Sequence, residues 1–464
     1  MRKLIVPLLS SFLLTACATR GPLDIACEGF TTPLPGKSAF RRPLPLSPLE
    51  KQIRGINNQP PPLGRGQTES GLLTRTIFAY QNALFRQQLH DSDPLKENHD
   101  LGEPAVLLLS GGGQWGAFGA GFLTRLAEKG DMPNFFVITG VSTGGLQAMF
   151  IGTDHPDRWK WLQAAYTIDR EKDVVKRNSK GLAILTGSFA GLEPLRKRVE
   201  NALCPDGMDA KSCPAIDALK STNREILIGY IEARSGDFYY SDIQQIANDA
   251  QTANARACIT GATLASAAMP VTFQQVRINE RAYYDGGVRQ SVFASFAEQL
   301  ARIARTYQSG EALEDNKDLP FYVVRNGPTS LLNEAGSERA DDSADALTAA
   351  ERTQQIVTNQ LEVGSIAALR LQKPIGSIRF TSADGWENHA FTTRNGEQTT
   401  CGDVRAGLNG AMFDPDFMGC LMSYGRARAD SAEPWSELME IDVGPKATIP
   451  VIEDTELSGP IEDN

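Results

Sequence analysis

The sequence predicts an α/β fold built on a mostly parallel sheet covered on both faces. Three observations predict it. From Glu103 onward, short apolar runs bounded by glycine alternate with longer amphipathic stretches. The runs, such as Ala-Val-Leu-Leu-Leu at 105–109, are continuously apolar, the composition of strands buried on both faces. Two of them lead directly into a glycine-rich turn and then a helical stretch. On these grounds strands are expected at 105–109, 135–139, 226–232, 319–325 and 377–380. Helices are expected at 116–129, 144–151, 192–203 and 346–371, with an amphipathic helix at 72–89 packed on the body ahead of them.

The chain has 464 residues, 41% hydrophobic and 22% charged, which excludes collagen-like, coiled-coil and wholly disordered classes. A formal charge of −10 argues against a nucleic-acid partner held by a general basic field. After the first fifteen residues no apolar run approaches the ~20 residues needed to cross a bilayer.

The amino terminus reads as an address. Arg2 and Lys3 precede an apolar run to Leu14, the pattern of a secretory signal over 1–16. Leu14-Thr15-Ala16-Cys17 resembles the lipobox of bacterial lipoproteins, which implies lipidation of Cys17 and a cell-envelope membrane as partner. Ala18 after the cysteine favours the outer membrane in a diderm host. Residues 17–63, rich in proline and ending in Pro60-Pro61-Pro62, read as a tether, and 64–102 as a helical extension. The catalytic body is expected at 103–430, followed by an extension with an acidic tail from Ser458. Export leaves six cysteines free to pair in fifteen ways. The short loop from Cys204 to Cys213 makes that pair the first expectation, and Cys401 with Cys420 the second. Without CxxC spacing or a His cluster, no zinc site is expected.

Three motifs carry the chemistry. Ser110-Gly111-Gly112-Gly113-Gln114-Trp115-Gly116 follows a strand and opens a helix, so its backbone N–H groups suit an anion. Gly111, Gly113 and Gly116 also satisfy a dinucleotide fingerprint, with acidic residues, Asp131 among them, at roughly the distance it expects. Gly140-Val141-Ser142-Thr143-Gly144 is the G-x-S-x-G nucleophile elbow, again between strand and helix. Tyr284-Asp285-Gly286-Gly287 sets an aspartate on a glycine turn. A serine nucleophile needs a base, usually His. The histidines are His90, His99, His155 and His389, and only His389 lies where a late catalytic His would be. The shortage favours Asp285, since a dry pocket can raise an aspartate's pKa enough for it to act as base.

Taken in this order, the three motifs resemble those of the patatin-like phospholipases. Ala265-Ser266-Ala267-Ala268-Met269-Pro270 resembles the family's A-S-x-A-x-P segment, and Phe413-Asp414-Pro415-Asp416-Phe417-Met418, continuing to Gly425, its closing segment. The resemblance spans roughly 103–430. It implies a three-layer α/β/α patatin-like fold and lipid acyl hydrolysis by a Ser–Asp dyad through an acyl-enzyme. Ser142 would be nucleophile and Asp285 general base. Gly111, Gly112 and Gly113 would form the oxyanion hole, and Gly116, Gly140, Gly144, Gly286 and Gly287 would shape the turns. The substrate would be a lipid ester, with no metal or organic cofactor. Ser110 and Trp115 stand where the family usually has Asp and a cation. Neutral esters are therefore expected to be cleaved at least as well as phospholipids. The alternative is a lipid-anchored binding or scaffold protein that keeps the fold without turnover; a dinucleotide oxidoreductase ranks third.

Overall fold

The computed structural model describes residues 21–46, 48–53, 55, 65–91, 102–179, 183, 187–205, 213–310, 318–331, 346–374, 376–408 and 410–438. The signal segment, Cys17, His99, the triple proline, the polar stretch 334–343 and the acidic tail fall outside the described residues.

The strands that position the site are β1 (Ala105–Leu109), β2 (Phe135–Val141), β3 (Glu225–Glu232), β4 (Arg281–Asp285), β5 (Phe321–Arg325) and β6 (Ile378–Ser382). Around them pack α1 (Arg65–Asp91), α2 (Gly116–Lys129), α3 (Thr143–Ile151), α4 (Thr252–Ser266), α5 (Ala294–Ser309), α6 (Ala346–Gln372), α7 (Cys401–Ala406) and α8 (Pro415–Ala429). Five strands run parallel in the order β3-β2-β1-β5-β6. At one edge β4 joins β3 antiparallel, followed by Val276–Ile278 and Leu23–Ile25; at the other, Ser436–Glu437 pairs antiparallel with β6.

The continuous apolarity of β1 has the expected cause. Leu107 and Leu109 enter a core with Phe118 of α2, Met149 of α3, Ile259 of α4 and Phe417 of α8. Val106 and Leu108 enter a second core with Ala83 of α1, Ala297 of α5 and Ile366 of α6. Each face of the sheet is thus covered by helices, giving the three-layer α/β/α arrangement. Parallel strands joined by crossovers bring the carboxyl ends of β1, β2 and β5 together at one rim, where such sheets bind ligands.

The tether expectation fails over residues 21–46. Leu23–Ile25 extends the sheet, Arg41–Pro43 pairs with Phe238–Asp242, and Phe30 and Phe40 are fully buried. Cys27 forms a disulfide with Cys258 of α4, 231 residues away. The segment's apolar residues follow no regular period because it wraps the body in short strands and turns. The other disulfides are the two expected pairs, Cys204–Cys213 and Cys401–Cys420. α1 is fixed to the body by Arg75, which ion-pairs with Glu225 and Asp242.

Candidate active site

β2 ends at Val141 and α3 begins at Thr143, so Ser142 alone makes the turn, at φ 55° and ψ −125°. A non-glycine residue there costs about 1–3 kcal/mol, a strain found where surroundings enforce it. Close packing enforces it here. A Cβ on Gly140 would lie 2.2 Å from Gly144 O, and one on Gly144 would lie 2.3 Å from Leu109 O. The Ser142 N–H donates to Ser266 Oγ at 2.7 Å, and Ser266 Oγ donates onward to Gly229 O at 2.6 Å. Ser266 belongs to the Ala-Ser-Ala-Ala-Met-Pro segment, and nothing local to that segment marks its part in holding an elbow 124 residues away.

Asp285 closes β4. Its N–H donates to Ala268 O at 3.0 Å, and its Oδ1 accepts the Gly287 N–H at 2.7 Å. β3 separates β2 from β4, with Val141 opposite Gly229 and Asp285 opposite Tyr230. That register brings the carboxyl next to Ser142 in a site that leaves Asp285 1% exposed. Burial raises its pKa from 3.8 to about 7, against the opposing pull of the Ser142 hydroxyl and the Gly287 N–H. Asp285 Oδ2 is buried with no hydrogen-bond partner among the described residues.

The glycine loop lies over the same point. Gly112, at φ 146°, passes so near β5's end that a Cβ would fall 1.9 Å from Asn326 O. Gly113 follows at φ 58°, and Gly116 opens α2 against Thr143. The expected triple of donors is incomplete. The Gly111 N–H donates to Ser291 Oγ at 3.1 Å, because Ser291 is buried directly beside it. The N–H groups of Gly112 and Gly113 make no hydrogen bond among the described residues. Asn326 clamps the loop: its N–H donates to Ser110 Oγ at 2.9 Å and its Nδ2 to Ser110 O at 2.8 Å. It also exchanges amide hydrogen bonds with Gln147 of α3. Neither Asn326 nor Ser291 sits in a motif, so no local signal marks them.

Ser142, Asp285 and the loop line one cleft of about 900 Å³. A narrow apolar pocket of about 60 Å³ also opens at Ser142, between Leu146, Leu192, Val199, Phe273 and Met418. Trp115 is 7% exposed, edge-on to Trp386 at 5.0 Å and to Phe417 at 5.2 Å, with the Arg405 guanidinium 5.9 Å above its ring. His389 is not part of the cleft lining: its Nε2 lies 3.0 Å from Ser423 Oγ, and burial lowers its pKa. His155 stacks on Trp161. Asp131 ion-pairs with Lys129 beyond the far end of α2, about 21 Å along the helix from the loop, so the dinucleotide fingerprint lacks its acidic partner at the glycines.

Residues 107–297, which hold the glycine loop, Ser142 and Asp285, match the family model described as Patatin-like phospholipase. No curated protein matches the chain. Among solved structures, the chain is similar to VipD from Legionella pneumophila, with 16% identity and a TM-score of 0.30, over 69% of this chain and 67% of that one.

Proposed function

With a patatin-like phospholipase domain at residues 107–297 as the premise, we propose that the protein hydrolyses carboxyl esters of lipids through Ser142, Asp285 and an acyl-enzyme. Asp285 takes the Ser142 proton as Oγ attacks the ester carbonyl. The N–H groups of Gly112 and Gly113 receive the oxyanion, preplaced where negative charge develops. Asp285 returns the proton to the leaving alcohol, and the acyl group stays on Ser142 Oγ. Asp285 then accepts a proton from a water that attacks the acyl carbonyl, and passes it to Ser142 Oγ as the C–Oγ bond breaks and the acid leaves. The apolar pocket beside Leu146 and Val199 suits the acyl chain, while the leaving group occupies the larger cleft. One observation carries the reading: a strained serine shares a dry site with a carboxyl whose pKa burial brings to about 7, which matches a general base working near neutrality.

Localisation follows the lipobox. Cys17 would carry the lipid that holds the chain on a cell-envelope membrane, and three disulfides support passage through an oxidising compartment.

Incubation with a fluorophosphonate followed by peptide mass spectrometry tests the enzyme. The expected adduct is on Ser142, with labelling and ester turnover lost in Ser142→Ala and Asp285→Asn and retained in His389→Gln. A folded wild type that neither labels nor turns over any lipid ester would leave the scaffold alternative standing.

A further inference from the structure

The cleft contains a buried cation that ester chemistry does not use. Arg325 ends β5, one residue before the Asn326 that clamps the glycine loop, and is 4% exposed. Arg325 is among the residues that line the cleft, and its guanidinium meets two residues of α6. Nη2 donates to Asn359 Oδ1, and Nε stands 3.3 Å from Glu362 Oε1 in an ion pair. Nη1 has no hydrogen-bond partner among the described residues, and Nε makes none of good geometry. Buried donors left without partners are costly, so a ligand that reached them would be held by them. Glu362 is not Arg325's alone, because its carboxyl also lies against the hydroxyls of Ser110 and Ser291.

Two further features belong to the same cleft. Gln354 Oε1 on α6 is buried with no hydrogen-bond partner among the described residues, an acceptor suited to a hydroxyl. Arg405 of α7 also lines the cleft, with its guanidinium over Trp115. Trp115 occupies the loop position where the family that the motifs resemble usually has a cation. The missing charge is thus replaced in space by guanidiniums from β5 and α7.

We infer that Arg325 is the charged floor of a subsite for the phosphate of a lipid head group, with Gln354 placed for a head-group hydroxyl. The planar fork of a guanidinium matches a phosphate bidentately, which a neutral ester cannot exploit. This rests on the proposed ester hydrolysis for its substrate class, and it reverses the expectation from Trp115 that neutral esters are favoured.

The test compares phosphatidylglycerol with diacylglycerol of the same acyl chains, in neutral detergent micelles. Calorimetric titration with inorganic phosphate runs in parallel and needs no turnover. Arg325→Gln should lower the ratio of specificity constants, phosphatidylglycerol over diacylglycerol, by about tenfold or more, the loss of one charge-assisted contact. Arg325→Gln leaves Glu362 buried without its cation and risks misfolding. Glu362→Gln therefore provides a second arm, keeping the shape and the cation while removing the competing carboxylate. It should tighten phosphate binding and raise the same ratio. A ratio that moves with no calorimetric response to phosphate still supports a subsite read through the whole lipid. Phosphate binding that depends on Arg325 with an unmoved ratio overturns the head-group assignment in favour of a free-phosphate site. A ratio within twofold of wild type in both variants, with phosphate binding unaffected, overturns the subsite altogether. If neither lipid is cleaved, the hydrolase reading falls by itself, and calorimetry on wild type and Glu362→Gln still decides the anion site.

Discussion

Replacing Asp285 by Asn should leave the protein inactive and, near neutral pH, more stable. The carboxyl is 1% exposed and its pKa stands at about 7 instead of 3.8. Between those values the native state keeps a proton that the unfolded chain has released. Stability therefore falls as pH rises across this window, by about 1.4 kcal/mol per unit and roughly 4 kcal/mol in all. Below pH 4 both states are protonated and the group contributes no difference; above 7 both are ionised and the full cost of a buried carboxylate is present. Asn is neutral throughout, and its Oδ1 can still accept the Gly287 N–H that Asp285 accepts at 2.7 Å. The stability difference, variant minus wild type, should then rise by roughly 4 kcal/mol from pH 4 to pH 8, starting from an offset of about 0 to −2 kcal/mol set by the new amide donors at every pH. Urea unfolding with disulfides intact, at pH 4.5, 6, 7 and 8, gives this difference directly, since other titrating groups cancel. In wild type the same ionisation should raise kcat/KM about tenfold per pH unit below 7, with a plateau above. Stability curves that run parallel in pH for the two proteins would refute the argument, because they would mean Asp285 has an ordinary pKa.

Three further outcomes are expected. Ser142→Gly should end hydrolysis yet stabilise the fold by about 1 kcal/mol, since φ 55° suits glycine; a lower melting temperature would show that the elbow is not strained. Trp115→Arg should cost about 3 kcal/mol or more in urea unfolding, because it removes an indole packed on Trp386 and Phe417 and sets a second guanidinium beside Arg405; an unchanged midpoint with faster cleavage of anionic lipid would contradict this. Cys17→Ser should lose incorporation of a palmitate analogue in cells, and equal labelling of variant and wild type would dispose of the lipobox.

The elements legible in the sequence are those whose cause is local. Gly111, Gly112, Gly113, Gly140 and Gly144 imply tight turns by their type and their place between a strand and a helix, although the clashes that demand glycine at 112 and 144 come from Asn326 and Leu109, and the apolar run of β1 implies burial on both faces. The amino-terminal segment misled for the complementary reason. Its few apolar residues lack a period, and only β pairing with Val276–Ile278 and the bond from Cys27 to Cys258 explain why 21–46 is structured.

The sequence by itself determined the α/β class, the strand–turn–helix settings of the glycine loop and of Ser142, and, through the shortage of histidine, the attention to Asp285. Each follows from residue chemistry acting over a turn or two of chain. Tertiary structure decided the rest. It set Asp285 beside Ser142 across 143 residues through the register of β2, β3 and β4, and sealed the carboxyl from water, which alone moves its pKa to about 7. It gave the Gly111 N–H to Ser291, leaving Gly112 and Gly113 as donors, and it brought Arg325 and Arg405 into the cleft where the loop has Trp115. Burial, proximity and charge are properties of neighbours in space, and those neighbours come from strands and helices that lie far apart in the chain.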